Sequence, residues 1–253
     1  MIALVRAELL KLRTVKLPLW LLVTTVALVV LSVCVTVLTA GLEGNPLRRD
    51  DPELLARAVA SASGGNVVVL VLGILTLTQE FRFGTATPTF LVTPRRSSIV
   101  AAKLVAISAV GLLFAAVSAV VAVVLATALI QVRGGPVVLD RSVAEVLLGV
   151  VLVLVLYGPI GIGLAALVRN QVAAIVGALS WMFVAEQLLV ALRPEVGRWT
   201  PGGATAAVLQ LGDLATMGRG ELLPVAGGAA LLVGYALAFS AAGAALTLRR
   251  DLT

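Results

Sequence analysis

The sequence predicts an all-α membrane protein of six transmembrane helices, with both termini cytoplasmic and an amphipathic interfacial helix at the N-terminus. Three observations lead there. The 253-residue chain is 60% hydrophobic and only 13% charged, with a mean hydropathy of +1.11. A soluble domain is nearer half apolar and a quarter charged, and could not hide this much apolar surface from water. The apolar residues fall into separated runs, most of them long enough to cross the ~30 Å hydrocarbon layer at ~1.5 Å per residue. The basic residues gather at the ends of those runs, as topology and headgroup contact require. The whole chain, 1–253, reads as one transmembrane domain.

Residues 1–17, MIALVRAELLKLRTVKL, set Arg6, Lys11, Arg13 and Lys16 against one acid, Glu8, with Leu4, Val5, Leu9 and Leu12 near helical spacing. This predicts a short helix in the membrane surface; an ordinary basic flank is the simpler alternative. Residues 18–40 form an uncharged run led by Pro18, a residue suited to a first helical turn. Leu38-Thr39-Ala40 resembles a signal-cleavage site, but the run exceeds a signal core and reads as a retained first span. Asp51-Pro52-Glu53 in the polar stretch that follows reads as a helix start. The second span, 64–79, has a short apolar part; a helix begun near Pro52 would complete it, and a re-entrant segment is the alternative.

The stretch 80–101 is basic and cytoplasmic in this topology. Pro88 and Pro94 interrupt it, Gly84 could end the second span, and Ser97 or Ser98 could cap the third. The remaining spans read as 102–130, 143–168, 172–192 and 225–248, with a long outer loop at 193–224. Gly158-Pro159, Gly161 and Gly163 in the fourth span would admit another backbone closely. With both termini inside, the inner segments carry 11 Lys/Arg and the outer segments 8 over a somewhat greater length. Lys11, Lys16 and Lys103 all lie inside.

Catalytic motifs are missing. The chain has no histidine and one cysteine, Cys34, which leaves no Ser-His-Asp triad, no H-E-x-x-H site and no intrachain disulfide. No phosphate-binding G-x-x-x-x-G-K-[ST] loop and no G-x-S-x-G elbow occur. A net charge of +6 with only 4% aromatics fits membrane lipids as partners rather than nucleic acid. Two features stand out. Phe81, Phe83, Phe90 and Leu91 sit among the polar residues Glu80, Arg82, Thr85, Arg95 and Arg96, a pattern that fits either a docking partner or the bilayer surface. Glu186, with Gln187 beside it, lies inside the fifth span, where an acid is costly; it is either functional or held by a structural hydrogen bond.

These residues also resemble a family. Ala7 to Thr14 (A-E-L-L-K-L-R-T), Gln79 to Thr85 (Q-E-F-R-F-G-T) and Thr93 to Lys103 (T-P-R-R … A-A-K) are similar, in order and placement, to bacterial ABC transporter permeases of the type-2 exporter class, the actinobacterial drug and antibiotic exporters especially. Arg169-Asn170-Gln171, Trp181 and Glu186 extend the likeness. The resemblance implies a six-helix permease without its own ATPase, paired with a second permease, identical or not. Each would dock a separate ATP-binding subunit that holds ATP and magnesium. It makes residues 1–17, with Glu8, Lys11 and Arg13, the connecting helix. It makes Glu80, Arg82, Gly84, Thr85, Pro94, Arg95 and Arg96 the segment that couples ATPase motion to the spans. Residues 193–224 become short outer helices, and the cargo a hydrophobic or amphipathic drug, antibiotic or lipid. An ion-coupled secondary transporter and a non-transporting anchor or assembly subunit are the rival readings.

Overall fold

The computed structural model describes residues 1–82, 96–168, 170–211 and 221–249. Among these all regular secondary structure is helical, without strands, and six helices are long and apolar enough to cross a membrane. It is a multi-pass membrane protein. The N-terminal helix, Ile2–Thr14, stops at extended Val15. The first span, Leu17–Thr39, follows with Pro18 in its opening turn, where no intrahelical N–H bond is lost.

The second span is the least legible in sequence. It begins at Leu54, where Asp51 turns the chain by accepting from the Glu53 amide through Oδ1 and from the Leu54 amide through its carbonyl. It runs as an α-helix over Leu54–Ala60, tightens to 3₁₀ over Ser61–Gly65 and continues as Asn66–Arg82. The apolar count alone missed its first turns because Ser61, Ser63, Gly64 and Gly65 break the run. The structure buries Ala62 and Gly65, half-buries Ser61 and Ser63 and leaves Gly64 exposed. The third helix, Arg96–Val132, already includes Ser97 and Ser98, so neither serine stands outside it as a cap.

The fourth span, Arg141–Val168, is the axis of the molecule. Of the most apolar 18-residue windows, 72% of the second span and 67% of the fourth are buried, against 17–33% of the other four. Glycine makes this packing possible. A side chain at Gly161 would strike the Leu70 carbonyl, one at Gly73 the Gly158 carbonyl, and one at Gly163 the backbone of Phe239. A side chain at Gly111 would lie 2.7 Å from the Leu154 carbonyl. In lipid, where apolar tails compete equally for apolar side chains, such close backbone approach is what holds helices together. The order of these contacts also gives direction. Gly65 meets Leu154 and Gly73 meets Gly161, so the second and fourth spans run parallel. Gly111 meets Leu154 and Gly158 meets Ile107, so the third runs against them.

The fifth span is Gln171–Leu192. Asn170 caps it by accepting from the Ala173 amide at 3.0 Å, and one π-helical turn, Trp181–Ala185, interrupts it. Two short helices follow, Pro194–Gly197 and Pro201–Val208. The second inserts between the fourth and sixth spans. A side chain on Gly149 would meet the Val208 carbonyl, and one on Gly228 the Ala204 carbonyl, each at 2.8 Å. The last helix is Val225–Arg249. At the end of the bundle away from the N-terminal helix, Arg133 donates to the Leu38 carbonyl at 2.6 Å. That places a cation on the last turn of the first span, where the helix dipole favours one.

Candidate functional site

Two polar constellations are set into this apolar body. The first is a closed ring of four charges. Lys103 Nζ reaches Glu8 Oε2 at 2.7 Å and Glu80 Oε1 at 2.8 Å. Lys11 Nζ reaches Glu8 Oε1 at 2.7 Å and Glu80 Oε1 at 3.1 Å. The sources are three different elements. Glu8 and Lys11 sit one turn apart on the N-terminal helix, Glu80 in the last turn of the second span, and Lys103 in the second turn of the third. Lys103 and Glu8 are buried, at 3% and 5% exposure, while the Lys11 side chain is half-exposed.

Two acids against two lysines leave the ring neutral, which is what a buried site at the membrane surface can tolerate. Burial alone would raise the Glu8 carboxyl, but Lys103 and Lys11 outweigh it and hold Glu8 below its ordinary value of 4.5. Burial would likewise lower Lys11, but Glu8 and Glu80 outweigh it and hold the ammonium above its ordinary 10.5. A cavity of about 370 Å³ opens beside the ring, between the N-terminal helix and the first two spans, with Leu12, Pro18 and Leu75 on its apolar side.

The second constellation surrounds Glu186, buried at 2% exposure. Its Oε1 accepts from the Gly202 amide at 2.6 Å and from the Thr200 hydroxyl. Thr200 is the N-cap of the inserted helix and accepts from the Gly203 amide at 3.1 Å. The carboxylate therefore sits on the positive end of a short helix and supplies a partner to an amide that has none inside the helix. The Glu186 amide donates to the Trp181 carbonyl, five residues back, so this turn takes up one residue more than an α-helical turn; Trp181 stays 44% exposed while Glu186 is buried. Next to Glu186 lies a second cavity of about 440 Å³, walled by Tyr157, Trp181, Met182, Tyr235 and Phe239, with Pro201 of the inserted helix at one side. Tyr157 shares a 3.0 Å hydrogen bond with Thr205, and Tyr235 donates to the Trp199 carbonyl at 2.7 Å.

The structure thus brings Glu8, Lys11 and Glu80 together, and adds Lys103, the last residue of the Thr93 to Lys103 motif, which was not among the candidate site residues. The available signal was a cation placed at the start of an apolar helix. Arg13 is exposed and stands outside the ring. Gln187 does not join Glu186; it is exposed and donates to the Met182 carbonyl at 3.2 Å. Adjacent residues on a helix point about 100° apart, so only one of the two can face the bundle. Gly84, Thr85, Pro94 and Arg95 lie outside the described residues, as do Phe83, Phe90 and Leu91. Arg82 and Arg96 end the two helices that flank that segment, and their side chains are likewise outside the description. The partners of Glu186 were written in Thr200-Pro201-Gly202-Gly203, an N-cap followed by proline, in a loop whose position sequence could not place. No family model matches the chain, and no curated protein matches it.

Proposed function

We propose that the chain is the membrane-spanning permease subunit of an ATP-driven exporter of the ABC type-2 class, seated in a bacterial plasma membrane with both termini cytoplasmic. It would move a hydrophobic or amphipathic substrate outward, and ATP and magnesium would be bound by a separate partner ATPase. The observation that carries this reading is the ring of Glu8, Lys11, Glu80 and Lys103. It ties the N-terminal helix to the very helix ends that flank the segment 83–95. A push delivered to that segment would move three elements as one body, because removing a member of a buried ion pair costs about 3–5 kcal/mol. A membrane anchor has no need of such a joint. The sequence likeness of Gln79 to Thr85 and Thr93 to Lys103 to the type-2 permeases points the same way. In this reading two permeases pair, Arg82, Arg95 and Arg96 face the ATPase, and rocking of the pair opens an outward path.

Glu186 lends little support to an ion-coupled carrier. Its carboxylate is engaged by Gly202 and Thr200, as a helix cap would be.

The deciding experiment is a pull-down of the tagged chain from its native membrane in mild detergent, with mass spectrometry of what co-purifies. An ATP-binding subunit should accompany the wild type and be lost from Arg95→Glu/Arg96→Glu. If none accompanies the wild type under conditions that keep other transporter complexes whole, the exporter reading falls.

A further inference from the structure

The cavity beside Glu186 has the attributes of a ligand site, and we infer that it binds an uncharged, flat, lipophilic molecule taken sideways from the bilayer. Its volume of about 440 Å³ lies in the range of small-molecule pockets, which are mostly apolar with a few placed polar groups. Tyr157, Ile160, Trp181, Met182, Tyr235 and Phe239 line it. The Tyr235 and Phe239 rings stand 6.5 Å apart and tilted by 33°, presenting ring surface to a flat guest. The polar groups are the two phenolic oxygens, both already placed by hydrogen bonds to Thr205 and Trp199.

Among the described residues, no charged side chain lines the cavity. The nearby carboxylate, Glu186, is buried, holds Gly202 and Thr200 through Oε1 and is not part of the lining. An ion brought into this medium would lose its water without gaining a counter-charge, which disfavours charged ligands strongly. The cavity has a mouth on the fifth span. Gly177 and Trp181 belong to the lining and are exposed on the outer face of the fifth span, beside Phe183 and Val184 at 62% and 55% exposure. That face is apolar, so entry is from lipid. The cavity wall and the cap of the inserted helix are joined through the π turn, since Trp181 and Glu186 are linked by its hydrogen bond. As a bound ligand the molecule needs nothing from the exporter reading; as a transport substrate it rests on that reading.

The test is photolabelling of the full chain in lipid nanodiscs with an uncharged iodophenyl diazirine, mapped by mass spectrometry. It is repeated with excess phenanthrene, which is flat and uncharged, and with excess ethidium, which is flat and cationic. Gly177→Leu fills the mouth without disturbing the fold, because nothing lies within 4 Å of a side chain's first atom there; Gly234→Leu, equally unobstructed on the sixth span, is the control. Label on Trp181, Met182 and Tyr235 should fall about tenfold with phenanthrene, as for a site weakened by about 1.4 kcal/mol. It should fall similarly in Gly177→Leu and hold in Gly234→Leu. Label that phenanthrene does not displace, that Gly177→Leu leaves unchanged, or that ethidium displaces equally would overturn the inference. The assay needs no ATPase, so its failure and failure of the pull-down are separate results.

Discussion

At Lys103 one ammonium answers two carboxylates, and that imbalance predicts an unequal response to mutation. Lys103→Met should lower stability by about 3–5 kcal/mol, because Glu8 and Glu80 are left facing each other with only half-exposed Lys11 between them. Adding Glu8→Leu to that variant should restore part of the loss, since the charge left uncompensated is itself removed. Thermal unfolding in detergent compares the variants; a double variant no better than the single would mean that the ring is not the source of the effect. At Glu186 the chemistry differs. Both of its hydrogen bonds end on one oxygen, and Gln keeps such an oxygen. Glu186→Gln should therefore cost little, while Glu186→Ala should cost about 2 kcal/mol or more, the loss of a helix cap plus a cavity. Equal losses for Gln and Ala, read by the same melts, would show that the negative charge and not the cap matters there.

Between helices, the determining groups are hydrogens where side chains could have been. Gly161→Val would drive a carbon into the Leu70 carbonyl of the second span, and neither backbone can retreat. A destabilisation above about 2 kcal/mol is expected, against almost none for Gly234→Val, where the space is open. The N-terminal helix supplies a prediction about pH. The folded Glu8 carboxyl sits below 4.5, so its contribution to docking is present above that value and lost as pH falls through the depressed one. The folded Lys11 ammonium sits above 10.5, so its contribution is present below that value and lost as pH rises through the raised one. The protection of the residue 2–14 amides, taken relative to the base-catalysed exchange of an unstructured chain at the same pH, should hence be flat through the neutral range and fall only at acid or strongly alkaline pH. A midpoint near neutrality would contradict the ring.

Across the whole molecule, an even number of crossings predicts that both chain ends share a side. In a Cys34→Ser background, Leu139→Cys, 72% exposed in the loop after the third span, should react with an impermeant maleimide added to intact cells. Thr14→Cys should react only after permeabilisation. Reaction of both from outside would overturn the proposed inside-positive orientation and, with it, the proposed placement of the ring on the ATPase side. The tightly packed second and fourth spans form the rigid centre, and the sparsely buried first, fifth and sixth spans surround it. Lateral entry at Gly177 therefore falls at the periphery of the molecule, where lipid is within reach.

Composition and the runs of apolar residues were enough to give the helical class and six membrane-length helices, since burial of a backbone in lipid leaves few alternatives to the helix. They also marked Glu186 as unusual, because a charge within an apolar run is expensive wherever it ends up; Glu8, Lys11 and Glu80 were singled out by the family resemblance. Partners were another matter. Lys103 and Glu8 are 95 residues apart, and Glu186 and Gly202 lie on opposite sides of a chain reversal. No periodicity within one helix reports a distance between two. The start of the second span at Leu54 was marked by Asp51-Pro52-Glu53, although Ser61, Ser63, Gly64 and Gly65 shorten its apolar run. The pocket was hidden because its walls are far apart in the chain. Tyr157, Trp181 and Tyr235 come from three spans, and only helix packing, set by glycine contacts and one π turn, brings their rings around a common space.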